Sequence, residues 1–365
     1  MTGRQTTSMR PSSSREATEP CEHVVIVILN YNGRELLKDT IQSAMTMDYP
    51  NTKVMVVDDG STDGSAQDVR DVFPDVPVFE MGRNTKMLNL VRNTALERAQ
   101  SNYVFLTDND ITFKRDCLTK LMAVAKAKSD AAVLLPRVMY RREPNRIYID
   151  RNRFHYVCGS IDLKRDRLLE DLRPEEQEGV GRTFGCGIQL IDKRKAMGVG
   201  FFDSDCPMGW GDDGEFHHRV NLSGWVCYAV PEAVVYHEAI KGSPRVYGQI
   251  RNRLSIIMRT YAARSILVFF PALIFYELCL ITFLCLKGQQ GDYIRAVMNV
   301  LRERRSLLEK RRAVQSTRRV RDRDLFTSGQ IYVPGPYQRS PWLRVVLGTF
   351  NGLLNLYWRL ACHFI

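Results

Sequence analysis

The sequence lacks the features that would place it in several broad classes of protein. Its nine cysteines are scattered without a Cys-x-x-Cys pair, which argues against a disulfide framework or a zinc site and favours reduced thiols. The N-terminal stretch is polar and has no apolar run, so we expect no signal peptide and interpret residues 1–22 as a disordered leader. A glycine-rich basic loop near the N-terminus, which a nucleotidyltransferase would need, is also missing.

The bulk composition is that of a chain with a packed core. The chain has 365 residues, of which 44% are hydrophobic, enough for one large domain or two smaller ones. The formal net charge of +11 suits nucleic acid, anionic lipid or phosphorylated substrates. No recognised nucleic-acid-binding module accompanies the arginine-rich stretch Arg302–Arg323, so we expect no nucleic-acid partner.

Apolar strands and amphipathic helices alternate in the first part of the chain. Val24–Leu29, Val54–Val57 and Tyr103–Leu106 are apolar runs typical of strands buried on both faces. The segments between them have helical periodicity, which predicts an α/β fold with a doubly wound, mostly parallel sheet. Further on, Thr183–Ile191 is predicted to be a strand, and Arg137–Gly181 an irregular substrate loop region.

Polar side chains follow three of these strands where each one ends. They lie in the segments Asn30–Asn32, Asp58–Asp59 and Asp108–Asp110. Ligands of doubly wound sheets bind at the carboxyl ends of the strands. Asp108 and Asp110 could hold Mg²⁺ or Mn²⁺ bridging two phosphates, although acidic turns after strands are also common. Asp59 could accept the N–H of a uracil or thymine ring, or the segment could be a helix-capping turn.

Two later segments also carry groups suited to catalysis. Asp212, Asp213 and Glu215 are close in sequence, and clustered carboxylates raise one another's pKa, so one of them could act as a general base. The alternative is an acidic first turn of a helix. His237 follows an apolar strand, where it is either a packed, hydrogen-bonded residue or a metal ligand opposite Asp110.

The motifs NYN, VDDGSTDGS, LTDND, GDDGE and PEAVVYHE occur here in the order and approximate spacing of the family-2 glycosyltransferases, which have the GT-A fold. The resemblance covers roughly Val24–Gly242. The RNRL segment (Arg251–Leu254) and the apolar, basic tail resemble the bacterial rhamnosyltransferase-like members more closely.

The resemblance implies a role for individual residues. It implies nucleotide binding by Asn30, Tyr31, Asp59 and Asp108, metal binding by Asp108, Asp110 and His237, general-base catalysis by Asp213, and an acceptor site near Gly185 and Gly187. The chain departs from the family pattern at several positions. Leu29 replaces a frequent threonine, Lys86 and Ala95 replace glycines, and Asp212 and Glu215 replace the usual Glu and Asp.

The C-terminal third predicts membrane association. We expect a GT-A domain over 23–242, a basic helical region over 243–330 that contains the apolar segment 266–286, and a loop with a C-terminal amphipathic helix over 331–365. Pro271 and Glu277 interrupt the apolar segment, and both its flanks are basic, which favours a re-entrant or interfacial segment. The alternatives are soluble core or a kinked crossing helix with Glu277 paired in a dimer.

Together these features predict an inverting, metal-dependent glycosyltransferase at the cytoplasmic face of the cell membrane. The donor would be a nucleotide-sugar and the acceptor a hydroxyl of a lipid-linked or growing glycan, with an anionic membrane surface as partner. The alternative is a non-catalytic nucleotide-sugar-binding scaffold of a glycan-assembly complex.

Overall fold

A mixed, mostly parallel sheet forms the centre of the fold. In the computed structural model the described residues are 21–162, 164–177, 179–238, 245–332 and 341–365. The strands are β1 Val24–Asn30, β2 Thr52–Asp58, β3 Val78–Glu80, β4 Tyr103–Asp108, β5 Ile111–Phe113, β6 Ala131–Tyr140, β7 Ile147–Ile149, β8 Arg153–His155, β9 Gly159–Ile161, β10 Gly181–Arg182, β11 Gln189–Asp192, β12 Val226–His237 and β13 Phe326–Thr327. The main sheet has the order β10-β12-β6-β11-β4-β1-β2-β3, and β13, β8 and β9 form a second sheet.

The helices cover the main sheet and then form a C-terminal layer. They are α1 Arg34–Met45, α2 Ser65–Val72, α3 Leu88–Arg98, α4 Cys117–Ala127, α5 Lys193–Val199, α6 Gly214–Leu222, α7 Val246–Thr260, α8 Ala263–Leu286, α9 Gln290–Arg302, α10 Arg304–Thr317 and α11 Pro341–Ala361. All seven residues of β1 are buried, as expected for a strand with helices on both faces of its sheet. The predicted α/β architecture is therefore confirmed.

Two predictions about the middle of the chain are wrong in part. Of the predicted strand Thr183–Ile191, only the last three residues form a strand. They belong to β11, Gln189–Asp192, which runs antiparallel between β4 and β6. The region Arg137–Gly181 was expected to be irregular, yet it contains the strands β7, β8 and β9. The three-residue strand β8 pairs with β13 from far along the chain, and such long-range pairing leaves no local pattern in the sequence.

The C-terminal helices pack directly on the second sheet. A buried aromatic cluster joins Phe154 of β8, Phe326 of β13, Tyr261 after α7 and Phe269 of α8. Burying each such ring contributes roughly 1.5–3 kcal/mol, so this layer is firmly attached.

Helix α8 is continuous through Pro271, which corrects the expected interruption. The predicted leader falls mostly on residues 1–20, the predicted domain boundary on 239–244, and part of the predicted loop on 333–340, all of which lie outside the described residues.

Candidate active site

The carboxyl ends of β1, β2 and β4 bring the predicted donor residues to one edge of the sheet. The strands are parallel and in register, with Asn30 beside Asp58 and Leu29 beside Asp108. Asn30 is buried, and its side-chain amide donates hydrogen bonds to Asp58 Oδ2 at 2.6 Å and Ser65 Oγ at 2.9 Å. Its Oδ1 accepts a hydrogen bond from Asn109 Nδ2 at 2.7 Å. Asn30 thus fixes three strand ends to one another.

Exposed Tyr31 and buried Asp59 also lie at this edge. Tyr31 is 48% exposed and available to stack on a planar ligand. Asp59 is held in place by the Thr85 N–H, which donates to its Oδ1 at 2.9 Å. Gly60 permits this approach, because a Cβ on Gly60 would lie 2.3 Å from the carbonyl carbon of Arg83.

Lys86 follows Thr85 and has a φ of +57°, in the left-handed region where glycine is unstrained. This backbone conformation is a physical reason for a glycine at the position in relatives. Here the position carries an exposed lysine.

Asp110 and His237 meet on the next part of the edge. His237 ends β12 and is paired with Ile111 of β5, so it lies next to Asp110 in the sheet. His237 Nε2 and Asp110 Oδ2 are 3.1 Å apart. The other heteroatoms of the two side chains, His237 Nδ1 and Asp110 Oδ1, are buried and have no hydrogen-bond partner among the described residues. Buried polar atoms without partners are uncommon, and an ion or a water molecule bound between these two atoms would satisfy them.

The charges of Asp110 and His237 act on Asp108, which also lies at this edge. Burial raises its pKa, Asp110 raises it further, and the charges of Arg92 and His237 oppose that rise. Carboxylate oxygens and imidazole nitrogen suit Mg²⁺ or Mn²⁺, so the residues present fit a divalent ion. Across the described ranges, no group of three or more His, Cys, Asp or Glu side chains is assembled around one point, so the remaining ligands would come from substrate or water.

We call Asp108, Asp110 and His237 the metal side of the site, and Asp212, Asp213 and Glu215 the base side. Arg92 connects the two sides, and the sequence analysis did not identify it. It is only 3% exposed, and its Nη1 lies 3.1 Å from Asp212 Oδ1 and 2.8 Å from Asn89 Oδ1. Its charge also acts on Asp213 and Asp108. The signal was present, because Arg92 is four residues from both Leu88 and Leu96 and so falls on the inner face of α3. A charge on an inner face requires a buried partner.

Asp213 is the residue of its segment that remains accessible. It occupies the N-cap position of α6 and is half-buried, whereas Asp212 is buried. Burial raises the pKa of Asp212, with Arg92 opposing the rise and Asp213 adding to it. A Cβ on Gly185 would lie 3.8 Å from Asp213 Oδ1, so the backbone of Gly185 faces this carboxylate.

His217 orients the backbone opposite Asp213. Its Nδ1 accepts a hydrogen bond from the Gly185 N–H at 2.8 Å, so the proton is on Nε2, which lies 2.8 Å from Gln189 Oε1. Burial, aided by the charge of Arg92, lowers the pKa of His217 to about 3, so this histidine is a neutral support for the site.

Glu215 is directed away from Asp213, although the sequence grouped the two. Glu215 Oε1 is 2.8 Å from both Arg219 Nε and Arg259 Nη2. Burial raises its pKa, but the two arginines outweigh burial and hold the pKa below its usual value. The loop before Asp212 is held from the other side by Asn252 of the RNRL segment, whose Nδ2 donates to the Pro207 carbonyl at 2.9 Å.

Comparisons with known proteins relate the chain to glycosyltransferases. The profile described as Glycosyl transferase family 2 matches residues 25–174. The chain is 32% identical over 111 residues to a putative teichuronic acid biosynthesis glycosyltransferase of Bacillus subtilis, a match covering 30% of this chain and 44% of that protein. It is 24% identical over 242 residues to an N-acetylglucosaminyl-diphospho-decaprenol L-rhamnosyltransferase of Mycobacterium tuberculosis, covering 60% of this chain and 77% of that protein. The chain thus spans less than half the length of the Bacillus relative.

Among solved structures, GalNAc-T7 with UDP, GalNAc and Mn²⁺ superposes with a TM-score of 0.55 at 14% identity, covering 69% of this chain and 50% of that one. This likeness shows the fold alone. Fold and motifs together define a glycosyltransferase with the GT-A fold. Residues 25–174 match glycosyltransferase family 2, and a mycobacterial rhamnosyltransferase is a distant relative of the chain.

Proposed function

We propose that the protein transfers a sugar, with inversion, from a nucleotide-diphosphate donor to a hydroxyl group of a lipid-linked or growing glycan. The observation that carries this proposal is that two acidic sites lie on either side of Arg92 and differ in the partners of their side chains. One side has unpartnered atoms of Asp110 and His237 that suit a cation, and the other has the accessible carboxylate of Asp213.

The donor side would bind and orient the nucleotide. Asp59 would accept the N–H of the base, and Tyr31 would pack against it. Asp110 and His237 would hold Mg²⁺ or Mn²⁺, and the carboxylate of Asp108 would lie on the same side of the site. When bound, such an ion compensates the charge of the diphosphate as it departs.

The base side would activate the acceptor. Asp213 would take the proton from the acceptor hydroxyl as its oxygen attacks the anomeric carbon. Since the diphosphate leaves from the opposite face in a single displacement, the configuration at that carbon would invert. Arg92 would keep Asp212 ionised and fixed, which leaves Asp213 as the group free to accept the proton.

We place the acceptor at the cytoplasmic face of the cell membrane because three C-terminal helices expose large apolar side chains, which together are called here the apolar outer face. These are Leu267, Phe270, Ile274, Leu278 and Leu286 of α8, Ile294, Met298 and Leu301 of α9, and Trp342, Val345, Val346, Leu353, Leu356 and Leu360 of α11. An exposed patch of this extent on helices with basic neighbours is typical of in-plane membrane binding.

Helix α8 is apolar and long enough to cross a membrane by length and composition, and it is the one such helix among the described residues. Its inner face nevertheless favours an in-plane position. Glu277, near its middle, forms an ion pair with Arg253 of α7 and accepts a hydrogen bond from Tyr293 of α9 at 2.9 Å. Arg253 in turn donates to the Val157 carbonyl at 3.1 Å. A helix tied at its centre to the catalytic domain would lie along the membrane surface, and Glu277 has its partner within one chain.

The activities for which the relatives are named support the substrate class. The Bacillus relative is assigned to teichuronic acid biosynthesis, and the name of the Mycobacterium relative includes a diphospho-decaprenol acceptor. We extend to this chain a role in cell-surface polysaccharide synthesis with a polyprenyl-linked acceptor.

The reaction is tested by a donor screen with the full-length protein. Purified protein, nucleotide-sugars, Mn²⁺ or Mg²⁺ and polyprenyl-linked acceptors should release nucleoside diphosphate, and EDTA should stop the release. Absence of release with every donor and competent acceptor would overturn the proposal, and pyrophosphate release would indicate a nucleotidyltransferase instead.

Membrane binding is tested by flotation with phosphatidylglycerol vesicles. The double variant Phe270→Ser, Leu278→Ser should bind at least roughly tenfold more weakly, since each apolar side chain is worth about 1.5–3 kcal/mol when buried. Met197→Ser, at an equally exposed methionine of α5, is the matched control. High salt should weaken binding only in part, because electrostatic attraction is one of two components. Equal binding by the double variant and the control would reject this surface.

A further inference from the structure

Arg165 is surrounded by tyrosines next to the proposed metal side. Its guanidinium carbon lies 4.3 Å from the centre of the Tyr148 ring and 5.0 Å from the centre of the Tyr332 ring. The Tyr140 ring packs edge-on against Tyr148 at 5.1 Å. We call these four residues the arginine–tyrosine cluster. Tyr148 also packs edge-on against the His237 ring at 4.8 Å, so this one ring contacts both Arg165 and His237.

Among the described residues, the Arg165 guanidinium forms no ion pair, and its buried Nε has no hydrogen-bond partner. Two acids lie near it. Asp166 accepts a hydrogen bond from the Tyr140 hydroxyl at 2.6 Å. Burial raises the pKa of Asp162 to about 6, and the charge and backbone N–H of Arg165 oppose that rise. A half-buried guanidinium without a directly paired carboxylate is costly, and an anionic ligand bound to it would reduce that cost.

The cluster is connected to the apolar outer face through a short segment. The Tyr332 N–H donates to the Ser160 carbonyl at 2.9 Å, which fixes the backbone beside Arg165. The adjacent Ile331 N–H donates to Asn351 Oδ1 of α11 at 3.0 Å. One segment therefore links the helix that carries much of the apolar outer face to the side chains next to His237.

We propose that the arginine–tyrosine cluster binds the phosphate of a polyprenyl-linked acceptor. The inference rests on the proposed function, because it assumes an acceptor held at the membrane. A guanidinium suits phosphate oxygens, to which it donates paired hydrogen bonds. The donor's diphosphate would occupy the Asp110–His237 side, on the other side of the Tyr148 ring. The prenyl chain would then extend along α11 toward the membrane.

Binding of farnesyl monophosphate in detergent micelles tests this proposal directly. The titration contains EDTA, so that the metal side takes no part, and farnesol, which lacks the phosphate, reports binding through the prenyl chain. We expect Arg165→Gln to weaken binding of farnesyl monophosphate about tenfold or more, as for loss of a charge-assisted hydrogen bond. Arg165→Lys should lose less. Arg173→Gln, at an exposed arginine paired with Glu175 and Glu176, should bind as the wild type does.

A second titration, with UDP and Mn²⁺, separates the two possible sources of phosphate. Arg165→Gln should leave this affinity unchanged, which also shows that the variant is folded. An equal weakening of UDP binding would assign the cluster to the donor and overturn the proposal, as would unchanged binding of farnesyl monophosphate. The binding assay does not depend on turnover, so its result is valid even if the protein does not transfer a sugar. If wild-type protein transfers sugar while Arg165→Gln keeps its acceptor KM, only this inference fails.

Discussion

The metal side and the base side of the site hold similar numbers of acidic residues. They differ in whether arginines of the protein pair with those residues. On the base side, buried arginines pair with Asp212 and Glu215. On the metal side, the Asp110 side chain has only His237 as a partner among the described residues, and one heteroatom of each is unsatisfied. Within the same residues, two acids of the base side are paired with arginines, whereas Asp110 is not.

This difference explains how neighbouring carboxylates can have different roles. A carboxylate paired with a buried arginine stays ionised and fixed, and it cannot serve a substrate. Asp213 is the exception on the base side because it stays accessible at the start of α6. The predictions below test the contrast, beginning with the largest expected effect.

Removal of the Asp110 carboxylate should have the largest effect. Asp110→Ala should lower turnover by about 10³-fold or more, because a bound metal supplies several kcal/mol of charge stabilisation. Affinity for Mn²⁺ together with nucleoside diphosphate should fall in parallel, measured by calorimetry. Unchanged metal-dependent activity would show that the cation binds elsewhere.

Asp213→Asn should separate chemistry from binding. The substitution keeps the size of the side chain and removes its ability to accept a proton, so turnover should fall by roughly 10²–10⁴-fold. Donor affinity should hardly change. If donor affinity fell as far as turnover, Asp213 would be part of the donor site, and the contrast between the two sides would be lost.

Arg92→Met should destabilise the base side. Asp212 would be buried without its ion pair, which typically costs about 3–5 kcal/mol, measured by urea unfolding. The charge of Arg92 opposes the raised pKa values of Asp108 and Asp212, so its loss should move the acid limb of kcat/KM to higher pH. Arg92→Lys keeps a charge and should recover part of both effects. Wild-type stability and pH profile in Arg92→Met would exclude the positioning role.

Helix α6 should make the base side sensitive to acid. Burial lowers the pKa of His218 to about 4, with smaller opposing effects of nearby charges, and that of His217 to about 3. The unfolded chain therefore binds more protons below the ordinary histidine pKa of about 6.5. The contribution of each histidine is complete above that pH and is lost, at up to about 1.4 kcal/mol per pH unit, as the pH falls toward these values.

Urea unfolding at pH 7.5 and 5.5 measures this slope. His218→Phe preserves ring packing against Phe154 and Phe326, and it should reduce the pH dependence by the share of one histidine. An identical slope in the variant would mean that His218 is protonated in the folded protein.

The sequence identified the metal side more completely than the base side. Asp59, Asp108 and Asp110 follow apolar strands, and parallel strands end at one edge, so their proximity follows from local pattern alone. Arg92 acts through a contact with Asp212, 120 positions away, which no local pattern encodes. The grouping of Glu215 with Asp213 had a similar limit, because on a helix one residue faces the site while its neighbour faces Arg219 and Arg259.

In the C-terminal region, too, the local pattern predicted the helices but not the contacts between them. Its apolar periodicity predicted helices, but the ion pair of Glu277 with Arg253 depends on how α7 and α8 pack. The strands β8 and β9 were missed because each is three residues long, and β8, which pairs with β9, also pairs with the distant β13. Their stability comes from the buried aromatic cluster rather than from strand propensity.

The most direct test of the contrast is to locate the cation itself. Crystals of the protein soaked with UDP and Mn²⁺ give an anomalous signal at the metal position. The account predicts one Mn²⁺ bonded to Asp110 and His237, with Asp212 still paired to Arg92 and no metal at Asp213. A Mn²⁺ ion bonded to Asp212 or Asp213, with Asp110 and His237 left without metal, would contradict it.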